Sequence, residues 1–302
     1  MPFERFVALL DELPDLEQVT LQGLGEPLLH PDLVAMVAEA KRRGLRVGFN
    51  TNGTLLTKAK AEALVAAGTD WIHVSMDGAT AATFEHIRDG AHFGQVLRNL
   101  RRLVAVRAFG GSPTPTIQLN VVLMGSNVHE LDDLVRLAAD IGVDRLWLQA
   151  LSHDFSDTDG GDAAYVEIRS FAEQESVWAS DADGNASDPR PAAMTRARRL
   201  ADRLGVALRL PEDGPPDELT AGAGADVPCD WPWTSTYVTH DGKVQPCCMV
   251  MGDDRVVLGH LDDPGGLAGV WHGAAYRRFR RELASERPPA VCRGCSLYRH
   301  VF

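Results

Sequence analysis

Four cysteines gather in the last quarter of the sequence as Cys229-x17-Cys247 and Cys292-x2-Cys295. Four thiolates that arrive as two pairs, one closed by a tight turn, can surround an iron–sulfur cluster, and they suit a tetrahedral zinc ion equally well. Inside the first spacing, Gly242 sits five residues before Cys247, in Asp241-Gly242-Lys243-Val244-Gln245-Pro246-Cys247-Cys248. Cys248, the odd fifth cysteine, reads as a small buried thiol. An odd number clustered at one end is no disulfide framework, so the sequence points to a reducing compartment, the cytoplasm.

A second set of polar residues sits immediately after apolar runs: Gly25-Glu26, Asn50-Thr51-Asn52, Ser75 with Asp77, Asn127 and Gln149. Glycine lets backbone approach a ligand, and exposed carbonyls plus a carboxylate accept from an ammonium group. Hydroxyl, carboxylate and amide side chains suit sugar hydroxyls, and an arginine such as Arg88 suits a carboxylate. Helix capping is the other reading, since Asn52, Thr54 and Asp77 all precede helical stretches. Other constellations are weaker. His30, His73, His86, His92 and His153 lack metal-ligand spacing, and His73 reads as a packed strand residue. Asp154, Asp157, Asp159 and Asp162 have part of a calcium-loop spacing without its closing Glu, which reads as a solvated acidic loop. No Ser-His-Asp set or glycine-rich phosphate loop is visible.

The elements that must position these groups alternate along the chain. Apolar runs at 16–23, 45–50, 71–76, 116–123 and 145–151 read as strands. Helical stretches at 31–43, 57–67, 79–87, 93–109 and 128–141 lie between them. This pattern predicts parallel β/α units, with strands apolar on both faces, as a partial barrel or a doubly wound sheet. In both, functional residues lie at the strand C-terminal ends, where the polar set falls. Residues 152–189, rich in Asp, Ser, Gly and Ala, read as an insertion or lid with a short helix near 166–177. A basic helix at 194–204 and a strand at 207–210 follow. The expected organisation is a barrel over 1–210, a linker over 211–228 and a cysteine domain over 229–302.

A chain of 302 residues accommodates these two domains, and its net charge of −12 argues against nucleic acid as a partner. No apolar run reaches the ~18–20 residues of a membrane span, and the N-terminus lacks a secretory signal.

Leu21-Gln22-Gly23-Leu24-Gly25-Glu26-Pro27 resembles the Gly-Gly-Glu-Pro segment of radical S-adenosylmethionine (SAM) enzymes. Asn50-Thr51-Asn52-Gly53 resembles that family's Thr-Asn-Gly turn. Val74-Ser75-Met76-Asp77-Gly78, followed by Arg88 and Phe93, resembles its Ser-x-Asp-Gly turn. The resemblance implies a partial (β/α)6 TIM-like barrel. It also implies SAM held near Gly25, Glu26, Asn50, Asn52, Ser75, Asp77, Arg88, Asn127 and Gln149. The C-terminal region is similar to the single-cluster "twitch" form of the SPASM domain: Cys229, the Asp-Gly hairpin, Pro-Cys-Cys, a glycine stretch, a Trp-containing helix over 271–283, then Cys-x2-Cys. This implies one auxiliary 4Fe–4S cluster on Cys229, Cys247, Cys292 and Cys295.

The family's Cys-x3-Cys-x2-Cys motif, which holds the SAM-binding cluster that generates a 5′-deoxyadenosyl radical, is absent, since the first cysteine is Cys229. Residues 1–13 resemble the helix that follows that motif in the family. The expectation is therefore a barrel without its first strand, in a chain lacking an N-terminal segment. A second cluster is expected only where that segment is present. The family implies hydrogen abstraction from a small-molecule, sugar or peptide substrate, with a flavodoxin or ferredoxin as reductant. The alternative is a degenerate, non-catalytic partner protein that binds iron–sulfur or zinc.

Overall fold

The computed structural model describes residues 1–151, 153–158, 163–176, 190–213, 229–250, 252 and 255–299. In chain order the elements are α1 (Phe3–Asp11), β1 (Gln18–Thr20), α2 (Leu33–Arg42), β2 (Arg46–Thr51), α3 (Lys58–Ala66) and β3 (Trp71–Ser75). Next come α4 (Ala81–Ile87), α5 (Phe93–Phe109), β4 (Thr116–Val122), α6 (Leu131–Ile141), β5 (Arg145–Gln149), α7 (Ala163–Glu175), α8 (Arg190–Leu204) and β6 (Ala207–Arg209). Two compact units emerge. One comprises Asp15–Gln149 and Val177–Leu210; the other comprises Met1–Pro14, Ala150–Ser176 and Pro211–Phe302.

In the first unit β1 to β6 form one sheet in sequence order, every pairing parallel. A doubly wound sheet reverses its strand order part-way; this one does not, so the winding is that of a partial barrel. The expectation that both strand faces are apolar is corrected. Val47, Phe49, Ile72, Val74, Ile117, Leu119, Val121, Leu146 and Leu148 share one fully buried face. Helices cover it with Val37, Ala40, Leu64, Leu100, Leu103, Leu134 and Ala138, which are also fully buried. Each large aliphatic side chain withdrawn from water there contributes about 1.5–3 kcal/mol. The strand register places Asn50, His73, Ser75, Gln118, Asn120, Trp147, Gln149 and Arg209 on the opposite face. That face is therefore polar, unlike the buried face covered by the helices.

The strand N-terminal ends close by a repeated device. Asp70, just before β3, accepts the Val47 amide of β2 at 2.7 Å and pairs with Lys41 of α2 at 2.8 Å. Asp144, just before β5, accepts the Ile117 amide of β4 at 2.7 Å and pairs with Arg107 of α5. Each carboxylate thus pins a strand start and a helix together, so this end of the sheet is built for stability.

The second unit contains an antiparallel sheet, β7 (Tyr237–Val238), β8 (Lys243–Gln245) and β9 (Gly259–His260). Sequence reading places residue 1 onward in the barrel, whereas the structure groups α1 with this unit. Leu9 and Leu13 pack on Val244, Leu267, Val270 and Tyr276. Arg5 Nη2 pairs with Asp262 at 2.7 Å, and the Glu12 carboxylate accepts the Leu267 amide at 3.1 Å. The expected single helix over 271–283 is two helices, Gly266–Trp271 and Ala274–Leu283, broken at His272-Gly273. Trp271 therefore ends the first helix, and its ring lies 4.8 Å from that of Tyr276 in the second. Residues 214–228 of the expected linker, and 152, 159–162 and 177–189 of the expected lid, lie outside the described residues. No helix among the described residues is long and apolar enough to cross a membrane.

Candidate functional site

Apolar strands hold the barrel rigid, so the loops at their C-terminal ends are free to carry polar groups. After β1 the backbone at Gly25 faces open space, with nothing within 4 Å of where a side chain would begin. Glu26 then caps the turn Pro27–Leu29. Its carboxylate accepts Leu28 N at 3.0 Å, Thr51 Oγ1 at 2.6 Å and Asn52 N at 2.8 Å. One side chain thereby fixes the ends of β1 and β2 together.

The Thr51–Thr54 turn is built from within. Asn52 Oδ1 accepts the Thr54 amide and hydroxyl at 2.9 and 2.7 Å, so the capping reading of Asn52 holds for its oxygen. Gly53 adopts φ +73°, and a side chain there would press on Val74 and Val96 at 3.0 Å, so both backbone and space require glycine. Asn99 of α5 donates to the Gly53 and Thr54 carbonyls at 2.9 and 3.1 Å and holds the turn in place.

At the end of β3, Asp77 is buried. Its carboxylate accepts the Val122 amide at 2.7 Å and pairs with Arg88 at 2.6 Å. Burial pushes the Asp77 carboxyl up, opposed by the Arg88 charge and the Val122 amide. Asn127 is fully buried as well. It donates to the Asp77 and Val122 carbonyls at 3.0 and 2.8 Å and accepts the Met124 amide at 2.9 Å. Asp77, Arg88 and Asn127 therefore lock β3 to β4. Sequence reasoning missed Glu130, which accepts Ala79 N, Thr80 Oγ1 and Thr83 Oγ1, each at 2.7 Å. Burial disfavours the Glu130 anion, but the Thr83 and Thr80 hydroxyls and the Ala79 amide outweigh it and hold the carboxyl below its usual range. A glutamate at the start of a helix was the one signal available in the sequence.

Asn50, Ser75 and Gln149 stand apart from these locks. All three are half-buried on the polar face, and no hydrogen bond among the described residues engages their side chains. Deeper on that face, burial and the Arg145 charge hold His73 at about 4, so its imidazole is neutral. The Arg209 guanidinium lies 4.4 Å over the Trp147 ring. The arrangement offers hydroxyl and amide groups, with an open glycine backbone, to a polar ligand.

The four paired cysteines also converge, in the second unit. Cys247 lies two residues after β8, Cys229 precedes the helix Trp231–Thr234, and Cys292 lies in the helix Ala290–Arg293. Cys295 closes the turn, donating its amide to the Cys292 carbonyl at 3.2 Å. Burial pushes the Cys247 thiol far up, and Cys248, Cys295, Cys292 and Cys229 push it further as would-be anions. Burial raises Cys229 to about 11 and also raises Cys292 and Cys295. These thiols cannot ionise together on their own; a cationic centre among them would let all four be thiolates. Among the described residues no three Cys, His, Asp or Glu side chains stand at the spacing of one bound ion. A cluster, with iron and sulfide between its ligands, spreads thiolates more widely than one ion does. Cys248 is half-buried rather than buried, and begins the turn Cys248–Val250.

Two families match this sequence. The radical SAM superfamily matches residues 1–138, and the SPASM family, an iron–sulfur cluster-binding domain, matches residues 229–296. The chain belongs to the radical SAM superfamily. Within the SPASM match, Cys229, Cys247, Cys292 and Cys295 are the residues that would hold a 4Fe–4S cluster, which when bound supplies one-electron chemistry.

This radical SAM chain is 33% identical over 293 residues to the mycofactocin maturase MftC of Mycobacterium tuberculosis, across 96% of its own length. It is 27% identical over 281 residues to a PqqA peptide cyclase of Ruegeria pomeroyi, across 92% of its length. The chain spans 66% of each of these two relatives and 43% of a third. Its fold is shared with Streptococcus suis SuiB, solved with the precursor peptide SuiA. That likeness has a TM-score of 0.66 and 15% identity, and covers 99% of this chain and 64% of SuiB. No cysteine precedes Cys229, so ligands for a SAM-binding cluster are not among these 302 residues.

Proposed function

We propose that this chain forms the SAM-binding barrel and auxiliary-cluster domain of a radical SAM enzyme that modifies a peptide. The observation that carries this reading is the pairing, in one chain, of an open polar strand-end set with a four-cysteine centre, three of its thiols half-buried and Cys295 buried. The likeness over nearly the whole chain to a maturase and a peptide cyclase supports it. A SAM-binding cluster, when present, supplies one-electron reduction of SAM and abstraction of hydrogen from substrate. Gly25, Asn50, Asn52, Ser75 and Gln149 contact SAM or substrate in this reading. Glu26, Asp77, Arg88 and Asn127 hold the loops that carry them.

The test is an anaerobic assay of the complete native protein with SAM, a chemical reductant and precursor peptides of the kind its relatives carry in their names, PqqA and SuiA among them. Peptide-dependent 5′-deoxyadenosine, with loss of hydrogen mass from the peptide, is the expected result. Formation of 5′-deoxyadenosine with the peptide unchanged would remove the peptide as substrate. No 5′-deoxyadenosine at all would favour a non-catalytic iron–sulfur partner.

A further inference from the structure

The segment His153–Asp157 is built onto the Cys292–Cys295 turn. His153 bridges to Cys295 as an isolated antiparallel pair, and the Asp154 amide donates to the Gly294 carbonyl at 3.0 Å. A side chain on Gly294 would collide with Asp154 at 2.0 Å and with His153 at 2.9 Å, so glycine between the two cysteines is what admits this strap. The buried His153 ring accepts the Phe155 amide at Nδ1, 2.7 Å, which makes Nε2 the donor to the Val291 carbonyl at 2.6 Å. His153 is thereby a neutral spacer that ties the strap to the helix carrying Cys292.

The strap ends in a charge. Asp157 Oδ1 lies 3.8 Å from His153 Nε2, the same ring nitrogen that meets the carbonyl of Val291, the residue before Cys292. The two Asp157 oxygens meet Arg255 Nη2 at 2.7 and 2.8 Å, and both side chains are about nine-tenths buried. Arg255 is over-determined: Nη1 donates to the Val250 carbonyl at 2.6 Å, and the guanidinium lies 5.2 Å from the Phe155 ring centroid and 5.7 Å from that of Tyr165. The Gln245 side chain holds the Arg255 carbonyl at 2.6 Å, two residues from Cys247. A fixed negative charge beside a cluster disfavours its reduction, and a fixed positive charge favours it.

We propose that the buried Asp157–Arg255 pair, carried on the 153–157 strap, sets the reduction potential of the cluster held by Cys229, Cys247, Cys292 and Cys295. Both are positioning residues, and the proposal rests on that ligand assignment. The strap seats the carboxylate at the Cys292 side, and Arg255 offsets most of its charge. The oppositely signed, low-dielectric pair gives each member a separate and opposite influence on the cluster.

The experiment is an EPR-monitored redox titration of the 302-residue chain after anaerobic reconstitution, with iron and sulfide measured for every variant. Iron content reads the ligand assignment, and the midpoint potential reads the inference. Asp157→Asn is expected to keep its iron and raise the potential. Arg255→Gln is expected to lower it, or to lose iron where the lone carboxylate repels the cluster. The double variant D157N/R255Q is expected to regain full iron and a potential near that of the parent. Full iron in Asp157→Asn with an unchanged or lowered potential overturns the proposal, as does a double variant that recovers neither iron nor potential. A parent chain that takes up no cluster would instead refute the ligand assignment.

Discussion

In the barrel unit, buried polar groups end on donors supplied by the chain: Asp77 on Val122 and Arg88, Glu130 on Ala79, Thr80 and Thr83. In the cysteine unit three half-buried thiols, Cys229, Cys247 and Cys292, gather with buried Cys295, and as would-be anions their neighbours raise the resistance of Cys247 and Cys292 to ionisation. The first unit carries a continuous apolar layer, from Val47 to Leu148. The second has two small clusters, around Val244 and around Val250, and Cys247 and Cys292 pack directly on the latter. The barrel locks are satisfied by the chain itself, whereas a cluster bound by the four thiols would contribute to the stability of the second unit.

The largest break in this comparison is expected from the cysteines. Cys247→Ala or Cys292→Ala should abolish cluster absorption and most bound iron; full iron in both would contradict the ligand assignment. Removing iron by chelation should raise hydrogen exchange in α1 and β7–β9 while β2–β5 keep their protection. Equal loss in both units would erase the distinction drawn between them. Within the barrel, Asp77→Ala leaves Arg88 and the Val122 amide without their partner, and should cost about 3–5 kcal/mol in urea unfolding.

A pH titration sharpens the contrast further. His73 is held at about 4 in the fold against 6.5 unfolded, so the unfolded chain binds the extra proton between those values. Barrel stability should therefore fall as pH drops from 6.5 towards 4, by roughly 3 kcal/mol in total, and stay flat above 6.5. His73→Gln should flatten that slope. The smallest effect is expected at Ser75. Ser75→Ala should weaken SAM binding about three- to tenfold by calorimetry on the complete holoprotein, with stability within about 0.5 kcal/mol of the parent.

Much of the barrel is readable in the sequence because each β/α unit is local. Apolar runs that end in Gly44, Gly68 and Gly142 mark helix stops a few residues from one another's strands. The polar inner face was equally legible in principle. The alternation in His73-Val74-Ser75 and in Gln118-Leu119-Asn120 is visible, yet a parallel sheet invites the expectation of two apolar faces. Other features depend on distant partners. Glu26 reads as a ligand residue until Thr51 and Asn52 are seen on its carboxylate. Glu130 gives no sign of reaching back to Ala79. The break at His272-Gly273 overrides a helical pattern that continues across it.

By itself the sequence determined the order of parallel units, the strand ends that carry polar groups and the two cysteine pairs, because short-range periodicity and spacing specify them. Only the tertiary structure decided which polar groups serve as locks and which stay open to a ligand. It also decided that α1 folds with the cysteine unit through Arg5–Asp262 and Glu12–Leu267, and that Asp157 meets Arg255 on a strap tied through His153 to Val291, next to Cys292. Those contacts join residues about a hundred to more than two hundred positions apart. Burial and complementary charge select such partners in three dimensions, and local sequence pattern carries no record of that selection.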